Sequence, residues 1–176
     1  MAKQLAILNA EPVFLPGPKL LHELVAQGQP AAAVAIEHCS HDGTIEGLSY
    51  ADLDLRSTAL AHEILSARHT STLYNNGERF IVPVYASQSL ELYICQLAIL
   101  KAGGAFCPVA LDVPEERLRF ILQDVEATVL LTTSDLRSRL PDLDGMAVVV
   151  ADSTGHSRDS HVPLPLVQPT QAAYIM

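Results

Sequence analysis

The most continuous hydrophobic pattern in the chain runs from Gln88 to Leu111. Its first half predicts a helix with almost no polar face, which belongs inside a core rather than on a surface. Gly103 and Gly104 predict the helix end, because glycine takes the left-handed conformation that often follows a last turn. The apolar residues from Ala105 to Val109 predict a buried strand directly afterwards. This order of helix, glycines and strand indicates the centre of an α/β domain.

Three elements are predicted near the start of the chain. Pro18 to Gln27 has apolar positions at helical spacing, which favours a short helix. Ala31 to Glu37 has the composition of a strand. Asp42-Gly43 is a typical hairpin turn, so we expect Thr44 to Leu48 to return beside that strand.

A longer helix follows the predicted hairpin. Ser49 is a suitable cap, and Asp52 lies three residues later, where a capping-box acid is found. The helix is expected to end near Ala67. The polar stretch from His69 to Glu78 predicts a loop, and Phe80 to Tyr85 predicts an apolar strand.

Helices and strands alternate in the rest of the chain. Pro114 is expected to open a helix with two acids in its first turn, where they suit the helix dipole. The later elements are strand Val129–Leu131, a short helix from cap Ser134 to about Leu140, strand Met146–Val150, a surface connection Ser153–Pro169 and an apolar strand Ala172–Met176. Such alternation predicts an α/β fold with a largely parallel sheet covered by helices.

Composition narrows the class of protein. The 176 residues include 11 basic and 20 acidic ones, for a net charge of -9. Nucleic acid and anionic membranes are therefore not expected as partners, because both need clustered Lys and Arg. The longest apolar stretch, Leu92 to Leu100, is about half a membrane span. Three cysteines without motif spacing and no visible signal peptide favour a reduced, cytoplasmic protein.

Several residues of chemically useful types occur without their usual neighbours. His38, Cys39 and His41 suggest zinc ligands, but no second Cys or His pair supports them, so a polar hairpin tip is predicted. The two glycines after Lys101 follow a helix, whereas those of a phosphate loop precede one. The remaining candidates are serines without nucleophile-elbow glycines, a mid-helix histidine and an acidic helix start: Ser49, Ser87, Ser89, His62, Asp112, Glu115 and Glu116. The residues alone predict no catalytic, cofactor-binding or metal-binding site.

Two segments, LSYADL at 48–53 and LKAGGAFCPV at 100–109, resemble core motifs of the adenylation domains of nonribosomal peptide synthetases. LSYADL at 48–53 resembles the first motif, with Asp52 where the family prefers Glu. LKAGGAFCPV at 100–109 resembles the second, with Phe106 and Cys107 in the usual Tyr-Val places. The following Ala110-Leu111 differs from the usual Asp-Pro.

The resemblance extends over roughly residues 15–176. PEERLRFILQDVEATVLLTT at 114–133 resembles the helix and strand that follow the second motif, and the combination is most similar to fungal synthetases. The implied fold is the first part of the large N-terminal subdomain of an adenylate-forming enzyme. Residues 1–17 would then be an extended lead-in, and residues 18–176 a partial AMP-binding domain.

The family reaction implied by this resemblance joins ATP and an amino acid into aminoacyl-AMP and pyrophosphate. The acyl group then forms a thioester on the phosphopantetheine of a carrier protein. For the parent protein, the implied cofactors are therefore ATP, Mg and phosphopantetheine. The implied partners are the remainder of the adenylation domain, carrier and condensation domains, and the amino-acid substrate.

AAYIM at 172–176 resembles the strand directly before the family's Ser/Thr/Gly-rich phosphate loop. The resemblance implies that this loop, the amino-acid pocket, the nucleotide contacts and the catalytic Lys all come later. No catalytic, cofactor-binding or metal-binding residue is therefore carried over to this chain. We expect an N-terminal part of an amino-acid-activating enzyme, inactive as this fragment alone. The alternatives are an acyl-CoA ligase-type member of the superfamily and a non-catalytic truncated protein that acts as an interaction module.

Overall fold

The computed structural model describes residues 20–26, 29–40, 42–71, 80–153 and 163–176. In chain order the elements within these ranges are α1 (Leu21–Ala26), β1 (Val34–Cys39), β2 (Ile45–Ser49), α2 (Tyr50–Thr70), β3 (Ile81–Tyr85), α3 (Leu90–Lys101), β4 (Ala105–Pro108), α4 (Glu115–Asp124), β5 (Val129–Thr132), α5 (Ser134–Arg137) and β6 (Ala147–Val150). β1 and β2 form an antiparallel pair. The other strands form a parallel sheet in the order β4-β3-β5-β6. The predicted α/β fold with a largely parallel sheet is confirmed.

The predicted hairpin is present, with an Asp-Gly turn between its strands. Gly43 has a φ of 84°, in the left-handed region that glycine takes readily. The Thr44 backbone N–H donates to Asp42 Oδ1 at 2.9 Å, which fixes the turn. The predicted lead-in at 1–17 and most of the predicted loop at 69–78 lie outside the described residues.

Helix α2 begins at the cap that the sequence predicts. Ser49 Oγ accepts a hydrogen bond from the Asp52 backbone N–H at 3.1 Å and donates to Asp52 Oδ2 at 2.6 Å. The helix continues past the predicted end at Ala67 to Thr70. Its buried residues are Leu53, Ser57, Leu60, Ala61 and Ile64.

Two hydrophobic cores lie on opposite faces of the parallel sheet. Successive strand residues point to opposite faces, so neighbours along β5 enter different cores. The first core joins α2 and α3 to the sheet through Leu60, Ile64, Ile94, Ile99, Val82, Val84, Val129 and Leu131. The second joins α4 and α5 to it through Leu118, Leu122, Leu136, Tyr85 and Leu130. The sheet is therefore covered by helices on both faces, as the sequence predicts.

Helix α3 is buried along most of its length, and its end has a regular geometry. Gly103 has a φ of 75°, and its N–H donates to the Leu100 carbonyl at 3.1 Å. The Gly104 N–H donates to the Ile99 carbonyl at 2.9 Å. This pair of bonds is the Schellman motif, which satisfies the last helical carbonyls. The predicted glycine stop is confirmed.

The last described residues approach the outer edge of β4. The Phe106 N–H donates to the Ala173 carbonyl at 3.1 Å, and the Ile175 N–H donates to the Phe106 carbonyl at 3.0 Å. Tyr174 pairs with Phe106 in a parallel bridge, and the two rings stack with centroids 5.9 Å apart. The predicted strand at 172–176 is thus present as one short parallel pairing. No described helix combines the length and apolar character needed to cross a membrane.

Gly104 provides a test of how tightly α3 meets the sheet. An added Cβ would lie 3.0 Å from Phe80 Cδ1, 3.1 Å from Ile99 Cγ2 and 3.2 Å from the Phe80 carbonyl oxygen. We expect Gly104→Ala to lower the free energy of unfolding by about 1–3 kcal/mol, because backbone cannot move aside as a flexible side chain does. Urea unfolding measures the change.

Gly47→Ala is the matched control for this substitution. A Cβ at Gly47 would lie 4.0 Å from Val34 Cγ1, an ordinary contact distance. We expect its free energy of unfolding to stay close to that of the unmodified chain. Equal stability of the two variants would contradict the proposed close packing at Gly104.

Candidate functional site

The strands of the parallel sheet all end at one edge, which we call the carboxyl edge. Ligands of open α/β sheets bind at this edge, where the strand order reverses. Here the chain passes from β3 outward to β4 and then crosses back over β3 to β5. The reversal therefore lies between the ends of β3 and β5. We call the residues there, 85–89 and 132–134, the switch crevice.

The two strands at the switch crevice are fixed to each other by side-chain hydrogen bonds. Thr132 Oγ1 donates to the Tyr85 carbonyl at 2.9 Å in a buried position. The Tyr85 hydroxyl in turn donates to the Leu111 carbonyl at 3.0 Å, which fixes the segment after β4. These two bonds hold the ends of β3 and β5 and the segment after β4 in fixed positions relative to one another.

Two hydroxyls of the switch crevice have no hydrogen-bond partner among the described residues. Ser89 precedes α3 and Thr133 precedes α5, and neither side chain caps its helix. Both hydroxyl oxygens are nevertheless buried. An unpaired buried hydroxyl costs about 1–3 kcal/mol, so native proteins seldom retain one without a partner. Among the described residues, the switch crevice is therefore the place where buried hydroxyl groups lack hydrogen-bond partners.

Asp152, in the turn that follows β6, caps the start of α5. The Ser134 backbone N–H donates to Asp152 Oδ1 at 2.8 Å, and the Ser134 hydroxyl donates to Asp152 Oδ2. Thr133 is the residue before the helix, so the sequence analysis was wrong in placing the cap at Ser134. Partial burial raises the pKa of the Asp152 carboxyl, but the hydrogen bonds from Ser134 outweigh burial and hold the pKa below its usual value.

Charged side chains surround a buried thiol close to this edge. Arg56 Nη2 of α2 lies 3.1 Å from Glu91 Oε1 in the first turn of α3. Burial raises the pKa of the Cys95 thiol to about 12, with smaller contributions in the same direction from the charges of Glu91 and Asp152. Because the thiolate is the reactive form, Cys95 is an inert core residue at neutral pH.

Lys101 is held at the opposite edge, since α3 starts at the carboxyl edge and ends away from it. Its ammonium group donates to Asp54 Oδ1 at 2.6 Å, the Asp54 carbonyl at 3.1 Å and Thr58 Oγ1 at 2.9 Å. Burial lowers the pKa of Lys101, while the hydrogen bond to Asp54 opposes that shift. All three ammonium donors are engaged, so Lys101 joins α3 to α2 and does not face a phosphate site.

The other residues considered in the sequence lie apart from one another. His38 and Cys39 are at the end of β1, with Cys39 exposed, and His41 lies outside the described residues. Within the described ranges, no group of three or more His, Cys, Asp or Glu residues is placed to hold a metal ion. The others are half-buried His62 on α2, Ser87 in the switch crevice, exposed Asp112 and Glu116, and Glu115, whose Oε1 lies 2.9 Å from Arg119 Nη2.

Sequence patterns did not indicate the long-range contacts of this region. The pair of Arg56 and Glu91 and the cap from Asp152 join elements separated along the chain, and the unpaired hydroxyls of Ser89 and Thr133 are brought together only by the strand order. One available signal was Lys101, because a cation in an otherwise apolar helix needs a partner elsewhere.

Removal of the Asp152 carboxylate tests the cap on α5. We expect Asp152→Ala to lower the free energy of unfolding by about 1 kcal/mol, the typical loss for a helix cap. Asp142→Ala, which removes an exposed carboxylate before β6, is the control and should change stability little. Chemical unfolding at neutral pH compares the two variants.

The pH dependence of the same variant gives a second check. The folded-state pKa of Asp152 lies below its usual value of 3.8, so its stabilisation is present above that pH and is lost as the pH falls through the folded pKa. The stability difference between the unmodified chain and Asp152→Ala should therefore disappear in acid. A difference that persists unchanged there would contradict the ionised cap.

Comparison with known proteins assigns the family. A family model described as "AMP-binding enzyme" matches residues 23–176. Nonribosomal peptide synthetase SIDC of Beauveria bassiana is 42% identical over 98% of this chain, which covers 3% of that protein. Nonribosomal peptide synthetase 2 of Gibberella zeae is 39% identical over 98% of this chain and 4% of that protein. The chain thus spans only a few per cent of the length of these relatives.

Solved structures of similar fold agree with this match. A nonribosomal peptide synthetase in its alpha-methyl-L-serine-AMP bound form is 28% identical with a TM-score of 0.60, over 73% of this chain and 14% of that one. A fatty acyl-adenylate ligase from L. pneumophila is 17% identical with a TM-score of 0.69, over 88% of this chain and 26% of that one, and shows the shared fold alone. The chain therefore belongs to the AMP-binding enzyme family and is homologous to the adenylation domains of nonribosomal peptide synthetases.

Proposed function

We propose that this chain forms the N-terminal part of an adenylation domain that activates an amino acid within a longer synthetase. The family match over residues 23–176 supports the proposal. The curated relatives support it as well, because both are named nonribosomal peptide synthetases and are far longer than this chain. Its partners would then be the remainder of the adenylation domain and the carrier and condensation domains.

The observation that carries the proposal is the parallel pairing of Tyr174 with Phe106. Because residues 173–175 run parallel to β4, a chain that continues past Met176 emerges at the carboxyl edge. That edge is where an α/β sheet binds its ligand and where the phosphate loop implied by the resemblance would begin. The register thus directs the next segment toward the place that adenylation chemistry requires.

The described residues of the carboxyl edge do not by themselves form a binding site for a nucleoside triphosphate. Arg56 is already paired with Glu91 at 3.1 Å, and Asp152 adds a negative charge. Attack of a carboxylate on the α-phosphate of ATP needs cations or metal ions that neutralise the phosphates. Arg56 and Asp152 therefore do not supply this neutralisation. Their role in the proposal is to form the rigid framework on which the phosphate-binding parts are held.

Amino-acid-dependent exchange of pyrophosphate into ATP tests the proposal. We expect a longer chain that contains residues 1–176 and a complete adenylation domain to catalyse exchange with at least one amino acid. Residues 1–176 alone should catalyse none, because positioning and charge neutralisation both need later residues. A mock purification controls for contaminating synthetases.

Three outcomes would count against parts of the proposal. Exchange by purified residues 1–176 would overturn the expected inactivity of the fragment. Exchange by the longer chain with fatty acids alone would assign it to acyl activation instead. Failure of a folded longer chain with every amino acid and every acid tested would indicate a non-catalytic protein.

A further inference from the structure

An apolar groove lies beside α1 on the face of the sheet that α2 and α3 cover. Its volume is about 500 Å³. The residues that line it include Leu21, Val25, Ile36, Tyr93, Leu97 and Phe106. We call this cleft the α1–α3 groove.

Helix α1 leaves its apolar side chains largely uncovered. Leu21 is 51% exposed, Leu24 48% and Val25 41%, and Tyr93 across the groove is 38% exposed. A helix of six residues has little stability of its own and depends on packing. A continuous apolar surface of this kind marks a place where another segment binds.

We propose that residues 13–15 of the chain's own N-terminal segment fill the α1–α3 groove. The sequence there is Val13-Phe14-Leu15, three apolar residues in a row. They are joined by the short connection Pro16–Lys19 to Leu20, which directly precedes the groove residue Leu21. Phe14 lies six positions before Leu20, so an extended chain reaches about 20 Å, more than the distance of about 10 Å between packed helices.

The size of the groove suits this occupant. An apolar cavity of about 150 Å³ holds one benzene ring, so a cleft of about 500 Å³ takes roughly three side chains of that order. Val13, Phe14 and Leu15 supply three. Proline disfavours helix at the residue before it, so Pro16 and Pro18 predict an extended course at Leu15 and Gly17, which the proposed docking requires.

A tethered segment is favoured over a second copy of the chain. A stable dimer buries about 800 Å² on each partner, far more than a cleft that takes three side chains offers. The covalent connection to Leu20, in contrast, would give the N-terminal segment an effective concentration at the groove of about millimolar. No step of this docking depends on the proposed enzymatic function.

Tryptophan fluorescence tests the docking, because the chain contains no Trp. Phe14→Trp introduces a single reporter at the proposed contact. We expect its emission to lie at shorter wavelength than that of a solvent-exposed Trp and its quenching by acrylamide to be several-fold weaker. Adding Tyr93→Glu, which places a charge in the groove, should shift the emission to longer wavelength and restore quenching.

Phe120→Glu is the matched control, because Phe120 is 53% exposed on α4, whose buried face packs against the opposite side of the sheet. It should leave the emission of Phe14→Trp unchanged. Val25→Glu is a second groove variant in case Tyr93→Glu unfolds the chain, which far-UV circular dichroism reports.

Three other outcomes of the fluorescence experiment would overturn the proposal. Emission of a solvent-exposed Trp in the folded Phe14→Trp chain would show that the segment does not dock. Emission unaffected by both folded groove variants would place the segment elsewhere. A loss of the blue shift on dilution, with a matching change of mass in sedimentation, would show that a second copy covers the groove.

Discussion

The close approach of α3 to the start of β3 is the constraint on which the fold depends. Gly104 brings the end of α3 against Phe80, and the Ala105 N–H then donates to the Phe80 carbonyl at 2.8 Å. This contact sets the register of β3 with β4, and β3 in turn positions β5. Because α3 is almost entirely apolar, this packing removes most of its apolar surface from water. The switch crevice exists because β3 and β5 end side by side.

A polar contact secures the same helix to its neighbour. The Lys101 side chain is 8% exposed and its ammonium group is held by Asp54 and Thr58 of α2, while the Asp54 side chain is 66% exposed. Removal of Asp54 would therefore leave a buried cation, whereas removal of Lys101 would leave a carboxylate that water can solvate. The two partners are therefore not equivalent, because the buried Lys101 needs Asp54 whereas the exposed Asp54 does not need Lys101. Such a contact fixes how far along α2 the end of α3 can lie.

Local patterns in the sequence were sufficient to predict the helices, strands and turns but not the contacts of the candidate site. The Schellman end at Gly103, the Ser49 cap and the Asp42-Gly43 turn each involve residues within five positions of one another, so the local sequence determines them. The cap from Asp152 joins residues 18 positions apart, and the contact of Lys101 spans 47. Such contacts depend on the order of the strands in the sheet. The alternation of helices and strands along the chain does not specify that order. The family resemblance added the fold of the parent domain, because its motifs at 48–53, 100–109 and 114–133 lie on successive elements of that fold, but it added none of these contacts.

The position of residues 173–175 has a consequence for the synthesis of this protein. β4 lies at the end of the sheet, and its outer side pairs only with these late residues among those described. On the ribosome, Phe106 emerges well before Tyr174, so the backbone groups on that side of β4 remain unpaired while the intervening residues are translated. An open strand of this kind is a template for pairing with another nascent chain. Slow elongation through the preceding connection would therefore favour aggregation of the nascent polypeptide, and a chaperone that shields this edge would suppress it.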